Sequence, residues 1–500
     1  MKKIWAPVFL LCVSLSTFSM GITNAQASGS SSTVLAACEN DTDFTCGSIA
    51  IPRISISGVK KNPRAEIKIH RAASNSGSKG TIFYNPGGPA ISAVDTLKDL
   101  VSFLDPRIVN DNDIVAIDPI GVGDSDGVVC ITPSLPEQHY GVLPSNYVEF
   151  KDHLNNVDPI ISRTCSSEFA MGSIAQARDI EYIRVALGLK SVTFLGVSYG
   201  SILATVYAKL YPRSVSSLIV DSPVDPYSSY QSNGQGIWAR IGIPATSQEA
   251  LMSAIGLCES IGIGRCPVAL TIRSSFERVM NRLQVSTINA GKGRAVDLSS
   301  FESYVSARLY HFNSLGIDDF ELLFDQIIQL ANASELGTGA EPPVAVDDVG
   351  LTDLIIRLSR MNLVLCSDYP QIDNALLPAD AMISELKSPG FGYYYAAMTS
   401  SCRNGDRGQG RVGGLLQSGP QLPRTIVFEN SHDPVSSTQA AVHVKNMSSR
   451  ASVVTVSDWW GHGALRASKC TNEELYAFLR GGRGPFSGSR VCAPNQAMFP

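Results

Sequence analysis

Ser191-Val-Thr-Phe-Leu-Gly-Val-Ser-Tyr-Gly-Ser201 is the stretch from which the architecture of this chain is read. Its first five residues form a short, largely apolar run of the kind that makes a buried strand. The residues from Ser201 to Leu210 place Ile202, Leu203, Val206, Tyr207 and Leu210 on one helical side, with Pro212 just beyond. Between the two lies Gly196-Val197-Ser198-Tyr199-Gly200, a G-x-S-x-G pentapeptide. A sharp strand-to-helix turn needs glycine where backbone packs on backbone. It also lifts the Ser198 hydroxyl above the sheet at a helix N-terminus, where developing negative charge is stabilised. The same pattern recurs as Gly123-Asp124-Ser125-Asp126-Gly127, but Val128-Val-Cys130 and two prolines follow it, and no helix. Ser125 therefore reads as part of a polar loop, and Ser198 as a nucleophile.

Working outward, Glu66–His70, Thr81–Tyr84, Asp113–Ile117 and Ser217–Val220 are further strand-like runs bounded by Gly, Pro or Asp. Ile180, Ile183 and Leu187 mark a helix closed by Gly188. Strands alternating with helices predict a mostly parallel sheet with helices on both faces. From Pro223 to Leu365 the strand signal fades. Phe276, Val279, Met280 and Leu283 form one helical stripe, and Phe320, Leu323, Phe324 and Ile327 another. Strands resume at Thr425–Phe428 and Ser452–Val456, while Gly405–Gly414 and Gly481–Gly488 read as surface loops. The expected organisation is a leader at 1–27, the first part of an α/β-hydrolase core at 28–222, a helical cap at 223–365, and the rest of the core at 366–500.

A serine hydroxyl is barely ionised at neutral pH and needs a base. In this fold the chain order is nucleophile, acid, histidine. Of the seven histidines, His462 fits best: it follows a late strand in Trp459-Trp460-Gly461-His462-Gly463, and its flanking glycines leave the imidazole room. His70 in a strand and His443 in a helical run read as structural, and His139, His153 and His311 have no site context. His432 is second choice, although it directly precedes the acid. That acid is Asp433, after the strand Thr425–Phe428, where it can hold the imidazole tautomer; Asp221, after Ser217–Val220, is its rival. Oxyanion stabilisation needs two backbone N–H groups. Tyr199 supplies one, and Gly88 of Asn85-Pro86-Gly87-Gly88-Pro89-Ala90 the other, because glycine lets backbone approach a substrate closely.

The 500 residues are 44% apolar and 17% charged, enough for a large core. Lys2, Lys3, the apolar stretch Ile4–Phe18 and Ala25-Gln26-Ala27 have the layout of a signal peptide cleaved after Ala27, which predicts a secreted or periplasmic protein without stable membrane insertion. Cleavage would move the net charge from −5 to −7. A mildly acidic chain with no basic cluster gives no reason to expect nucleic acid. Cys12 leaves with the leader, and an even ten cysteines remain, which in an exported chain favours disulfides. No CxxC pair occurs and no Cys lies near a His, so no metal site is expected; the chemistry calls for no cofactor. Leu35-Ala36-Ala37-Cys38 resembles a lipoprotein box, but Ser28–Thr33 separates it from the apolar region.

Asn85–Ala90, Asp118-Pro-Ile-Gly-Val-Gly-Asp-Ser125, Gly196–Gly200, Asp433-Pro-Val435 and Gly461-His-Gly463 followed by Cys470 together resemble the secreted tripeptidyl-aminopeptidase-like α/β-hydrolases, relatives of proline iminopeptidase. The resemblance runs over nearly all the mature chain. Two departures stand out: the family's GGPG turn ends in Ala90, and Ile120 replaces an arginine in the Asp118 loop. The resemblance implies release of short peptides from free N-termini, some members acting chiefly as esterases. A carboxylesterase with the same triad and a silent binding protein of this fold are the alternatives. Relatives look similarly stapled, and each pair closes a loop within one segment, so the expected pairing is Cys38–Cys46, Cys130–Cys165, Cys258–Cys266, Cys366–Cys402 and Cys470–Cys492. Binding a protonated amine requires carboxylates or carbonyls, and the cap offers the acids Asp318, Asp319, Glu321, Asp325, Asp347 and Asp348, none of them assigned.

Overall fold

The structure is a computed structural model that describes residues 35–39, 41–74, 77–133, 143–230, 235–291, 294–315, 318–333, 351–369, 372–404, 411–481, 489–496 and 498. The leader read at 1–27 lies outside them. Its framework is a ten-stranded sheet. In chain order the strands are β1 (Ala36–Cys38), β2 (Asp41–Ala50), β3 (Arg64–His70), β4 (Thr81–Asn85), β5 (Asp113–Asp118), β6 (Val192–Val197), β7 (Val215–Asp221), β8 (Arg424–His432), β9 (Ala451–Trp460) and β10 (Ser489–Cys492). They lie side by side as β1-β2-β3-β5-β4-β6-β7-β8-β9-β10. Pairing is antiparallel from β1 to β5 and parallel from there on.

The central strands are buried at successive residues, Ile114–Asp118 in β5 and Ser217–Asp221 in β7. Consecutive burial means both faces are covered, which is why these strands read as apolar runs rather than as alternations. β2 and β10 escaped the sequence reading because they are largely half-exposed or exposed and rich in polar residues. Only pairing with their neighbours makes strands of them. Register brings the C-terminal ends together: Asn85 lies opposite Gly196, Val197 opposite Asp221, and Asp221 opposite Phe428. In open α/β sheets ligands bind at that edge.

Between β7 and β8 the described residues are mainly helical, with a two-stranded ribbon of Ile288–Gly291 and Arg294–Val296. The helices continue past residue 365. Leu351–Asp368 runs across that position, and Leu377–Lys387, Gly392–Thr399 and Arg411–Gln417 follow before β8 starts at Arg424. We propose a cap that ends near residue 420 rather than at 365. The loop expected to reach Gly414 is corrected as well, because the helix begins at Arg411. Gly413 is there for packing: a Cβ on it would meet Tyr230 Cβ at 2.8 Å. Residues 482–488, most of the other expected loop, lie outside the described residues. The expected boundary of the histidine loop also shifts, since Trp459 and Trp460 belong to β9.

The sulfurs are joined as Cys38–Cys46, Cys130–Cys165, Cys258–Cys266, Cys366–Cys402 and Cys470–Cys492. Cys366–Cys402 ties two cap segments together, and Cys470–Cys492 ties the helix Lys469–Leu479 to the edge strand β10.

Candidate active site

β6 ends at Val197, and the helix Gly200–Leu210 starts three residues later. To turn this sharply Ser198 adopts φ +55°, a left-handed conformation that a non-glycine residue takes only when its surroundings enforce it. Its N–H donates to Asp221 O at 2.9 Å, and its own carbonyl accepts from Ser201 N at 2.9 Å. The glycines have a steric explanation. A Cβ on Gly196 would run into the Gly200 backbone, and one on Gly200 into Asn85 O. The turn after β4 packs just as tightly. Gly87, at φ +94°, would bring a Cβ to 2.5 Å from Val197 O and 2.9 Å from Tyr199 N. That contact sets Gly87 and Gly88 beside the elbow. Among the described residues the N–H groups of Gly88 and Tyr199 have no acceptor, as donors waiting for an anionic oxygen should be.

His462 Nδ1 lies 2.9 Å and 3.0 Å from the two carboxylate oxygens of Asp433. Both side chains are buried, at 4% and 1% exposure. Asp433 also accepts from Val435 N and Ser436 N, each at 3.0 Å, so its orientation is held by its own loop. Burial pulls the imidazole toward its neutral form, but the Asp433 charge, the hydrogen bond to it and the charge of Asp221 outweigh that effect. The net result is a pKa above the ordinary histidine value. His462 Nε2 is buried and unpartnered among the described residues. It is the nitrogen left to take a proton once Nδ1 faces the acid.

Asp221, the rival acid, has a different role: it accepts from Ala464 N at 2.7 Å and Leu465 N at 3.2 Å, anchoring the loop that carries His462. Burial pushes its carboxyl up to about 6. Ser222 Oγ accepts from Gly463 N at 3.0 Å, and Asn430 Nδ2 donates to Gly461 O at 2.9 Å. Ser222 and Asn430 were not singled out from sequence. Asn430 carried a signal nonetheless, as a polar residue at the end of an apolar strand, 1% exposed in the fold.

Of the other candidates, His139 lies outside the described residues, His311, read without a site context, lines the cavity beside Ser198, and the rest are engaged elsewhere. Ser125 Oγ donates to Asp118 O at 2.7 Å and accepts from Glu66 N at 2.8 Å, which ties its loop to β3. His432 stacks on Trp460 at 4.2 Å, and burial lowers its pKa. His443 Nδ1 pairs with Asp225 Oδ1 at 2.8 Å. Ile120, where the family has arginine, is fully buried.

A cavity of about 370 Å³ opens onto Ser198 and Gly88, roofed by cap residues that include Trp238, Ser306, Tyr310, Arg357 and Tyr394. The cap also touches the histidine directly. His462 N donates to Tyr310 O at 3.1 Å, and the two rings lie 4.9 Å apart. Among the described residues no cluster of side chains could hold a metal ion.

Sheet order, elbow and cap together define an α/β-hydrolase, and residues 80–239 match the family model for the alpha/beta hydrolase fold. Residues 388–492 match the model described as TAP-like protein. The chain is 30% identical over 209 residues to the tripeptidyl aminopeptidase of Streptomyces lividans, covering 38% of this chain and 37% of that protein. It is 24% identical over 444 residues to serine protease Hip1 of Mycobacterium tuberculosis, covering 82% and 80%. The chain thus spans little more than a third of the length of the Streptomyces aminopeptidases it matches. The chain therefore has the α/β-hydrolase fold, and its likenesses are to the tripeptidyl aminopeptidases and, in its C-terminal part, to the TAP-like model.

Proposed function

We propose that this protein is an extracytoplasmic serine aminopeptidase that releases short peptides from free N-termini through an acyl-enzyme. His462 Nε2 removes the Ser198 proton as the hydroxyl attacks the scissile carbonyl, and Asp433 holds the tautomer and stabilises the imidazolium. The N–H groups of Tyr199 and Gly88 receive the oxyanion, His462 returns its proton to the leaving amine, and water then resolves the ester. The observation that carries this reading is the buried His462–Asp433 pair with a free Nε2, in a fold whose elbow holds Ser198 in a left-handed turn. Five disulfides favour a compartment outside the cytoplasm, and among the described residues no helix is long and apolar enough to cross a membrane.

One observation favours the esterase alternative: the described wall of the cavity carries Arg357 and His311 but no carboxylate to meet a protonated amine. Of the cap acids, Asp325 is exposed. Asp347 and Asp348 lie outside the described residues, and the side chains of Asp318, Asp319 and Glu321 are not among those described. Peptide-coumarins with free and acetylated amines, run beside simple acyl esters, decide between the readings. The aminopeptidase requires turnover of the free amine and loss on acetylation. Equal rates, or ester turnover only, move the protein to the esterases. A fluorophosphonate probe that fails to label Ser198 removes both in favour of a binding protein.

A further inference from the structure

Tyr199 supplies an oxyanion donor with its backbone and reaches away with its side chain. The ring is 2% exposed and takes no part in the cavity wall. Its hydroxyl donates to Asp368 Oδ2 and lies 2.7 Å from Ser173 Oγ. Ser173 Oγ also donates to Asp368 Oδ2 at 2.5 Å, and Ser173 N donates to Oδ1 at 2.8 Å. Three donors thus converge on one carboxylate, itself 2% exposed.

The three residues come from separate parts of the fold. Tyr199 belongs to the elbow, Ser173 opens the core helix Ser173–Ala186, and Asp368 is the last residue of the cap helix Leu351–Asp368. An acid at the C-terminus of its own helix is opposed by that helix's dipole, so tertiary contacts must hold it there. Asp368 instead serves the neighbouring helix, whose N-cap, Gly172, offers no side-chain acceptor. Gly172 is as small as the contact demands, since a Cβ would collide with Asp368 Oδ1.

We propose that Asp368 is a positioning residue for catalysis: by holding the Tyr199 hydroxyl it fixes the Tyr199 peptide, and so makes the placement of the cap a condition for a working oxyanion hole. This rests on the assignment of Tyr199 N–H as an oxyanion donor. Losing one such donor costs on the order of 10²–10³ in kcat, so a displaced donor should cost somewhat less.

The test measures kcat and KM per active site titrated with a fluorophosphonate, for Asp368→Asn, Tyr199→Phe and the double variant. Tyr199→Phe keeps the backbone donor and removes only the hydroxyl, so it decides the matter should Asp368→Asn fail to fold. The expected result is about a 10- to 100-fold fall in kcat for each single variant. KM should stay within about threefold, and the double variant should be no worse than the poorer single, because both break one link. A lower melting temperature with unchanged kcat per titrated site would overturn the proposal and leave Asp368 a purely structural anchor. Ser198→Ala, run alongside, separates the failures. If that variant stays active, the catalytic assignment falls. If it is dead while Tyr199→Phe matches wild type, only the role of Asp368 falls.

Discussion

The sheet edge and the cap hold the same cavity by different means. At the edge, Ser198 and Ser222 sit in left-handed turns, at φ +55° and +48°, and backbone atoms pack so closely that only glycine fits at Gly87, Gly196 and Gly200. On the cap side, Tyr310 and Asp368 lie on regular helices and act through a carbonyl and a carboxylate at long range in sequence. The edge thus carries its geometry in local backbone conformation, which leaves short motifs. The cap carries it in tertiary contact, which leaves none. Substitutions at the edge should therefore remove chemistry outright, and those in the cap should grade it.

Ser198→Ala offers the sharpest test, with an expected loss of kcat on the order of 10⁴–10⁶ and an unchanged melting temperature. Ser125→Ala should instead keep its kcat and lose about 1–3 kcal/mol of stability, since its hydroxyl bridges a buried and a half-buried backbone group. Kinetics and melting of the two variants check this together; an inactive Ser125→Ala beside an active Ser198→Ala would reverse the assignment of the elbow.

Asp433→Asn comes next, with an expected fall in kcat of roughly 10³–10⁴ through loss of the correct tautomer. The pH profile adds a sign. With neutral His462 as the proposed base, the rate should fall as pH drops through its pKa, and Asp433 holds that value above the ordinary 6.5. The acid limb of kcat/KM should thus have its midpoint above 6.5 in the wild type. Without the carboxylate burial dominates, and the limb should move to lower pH. An unmoved limb would mean that another group titrates.

Gly87→Ala should cost about 1–3 kcal/mol and most of the activity, because φ +94° and the contact with Val197 O leave no space for a methyl group. The smallest effect belongs to the cap. Gly414 lies inside the helix Arg411–Gln417, and a methyl group placed on it would meet nothing within 4 Å, so Gly414→Ala should gain about 0.5–1 kcal/mol and leave kcat unchanged. Thermal melts of the pair check the contrast, which fails if the two alanines behave alike.

By itself the sequence determined the central strands and the two glycine-bearing turns, and it pointed to Ser198, Asp433 and His462 as the candidate triad beside them. Those features depend on residues close in the chain: a buried strand is an apolar run, and a turn at positive φ selects glycine locally. The division of labour between Asp433 and Asp221 was decided by tertiary structure, since both follow a strand and only distance shows which reaches His462 and which holds its loop. The strands β2 and β10, the helices that continue past Leu365, and the contacts of Tyr310 with His462 and of Asp368 with Tyr199 were likewise invisible. A half-exposed strand has no periodicity until a neighbour pairs with it. A buried carboxylate on a helix end looks like any other acid until the fold brings Ser173 and Tyr199, 195 and 169 residues earlier, to meet it.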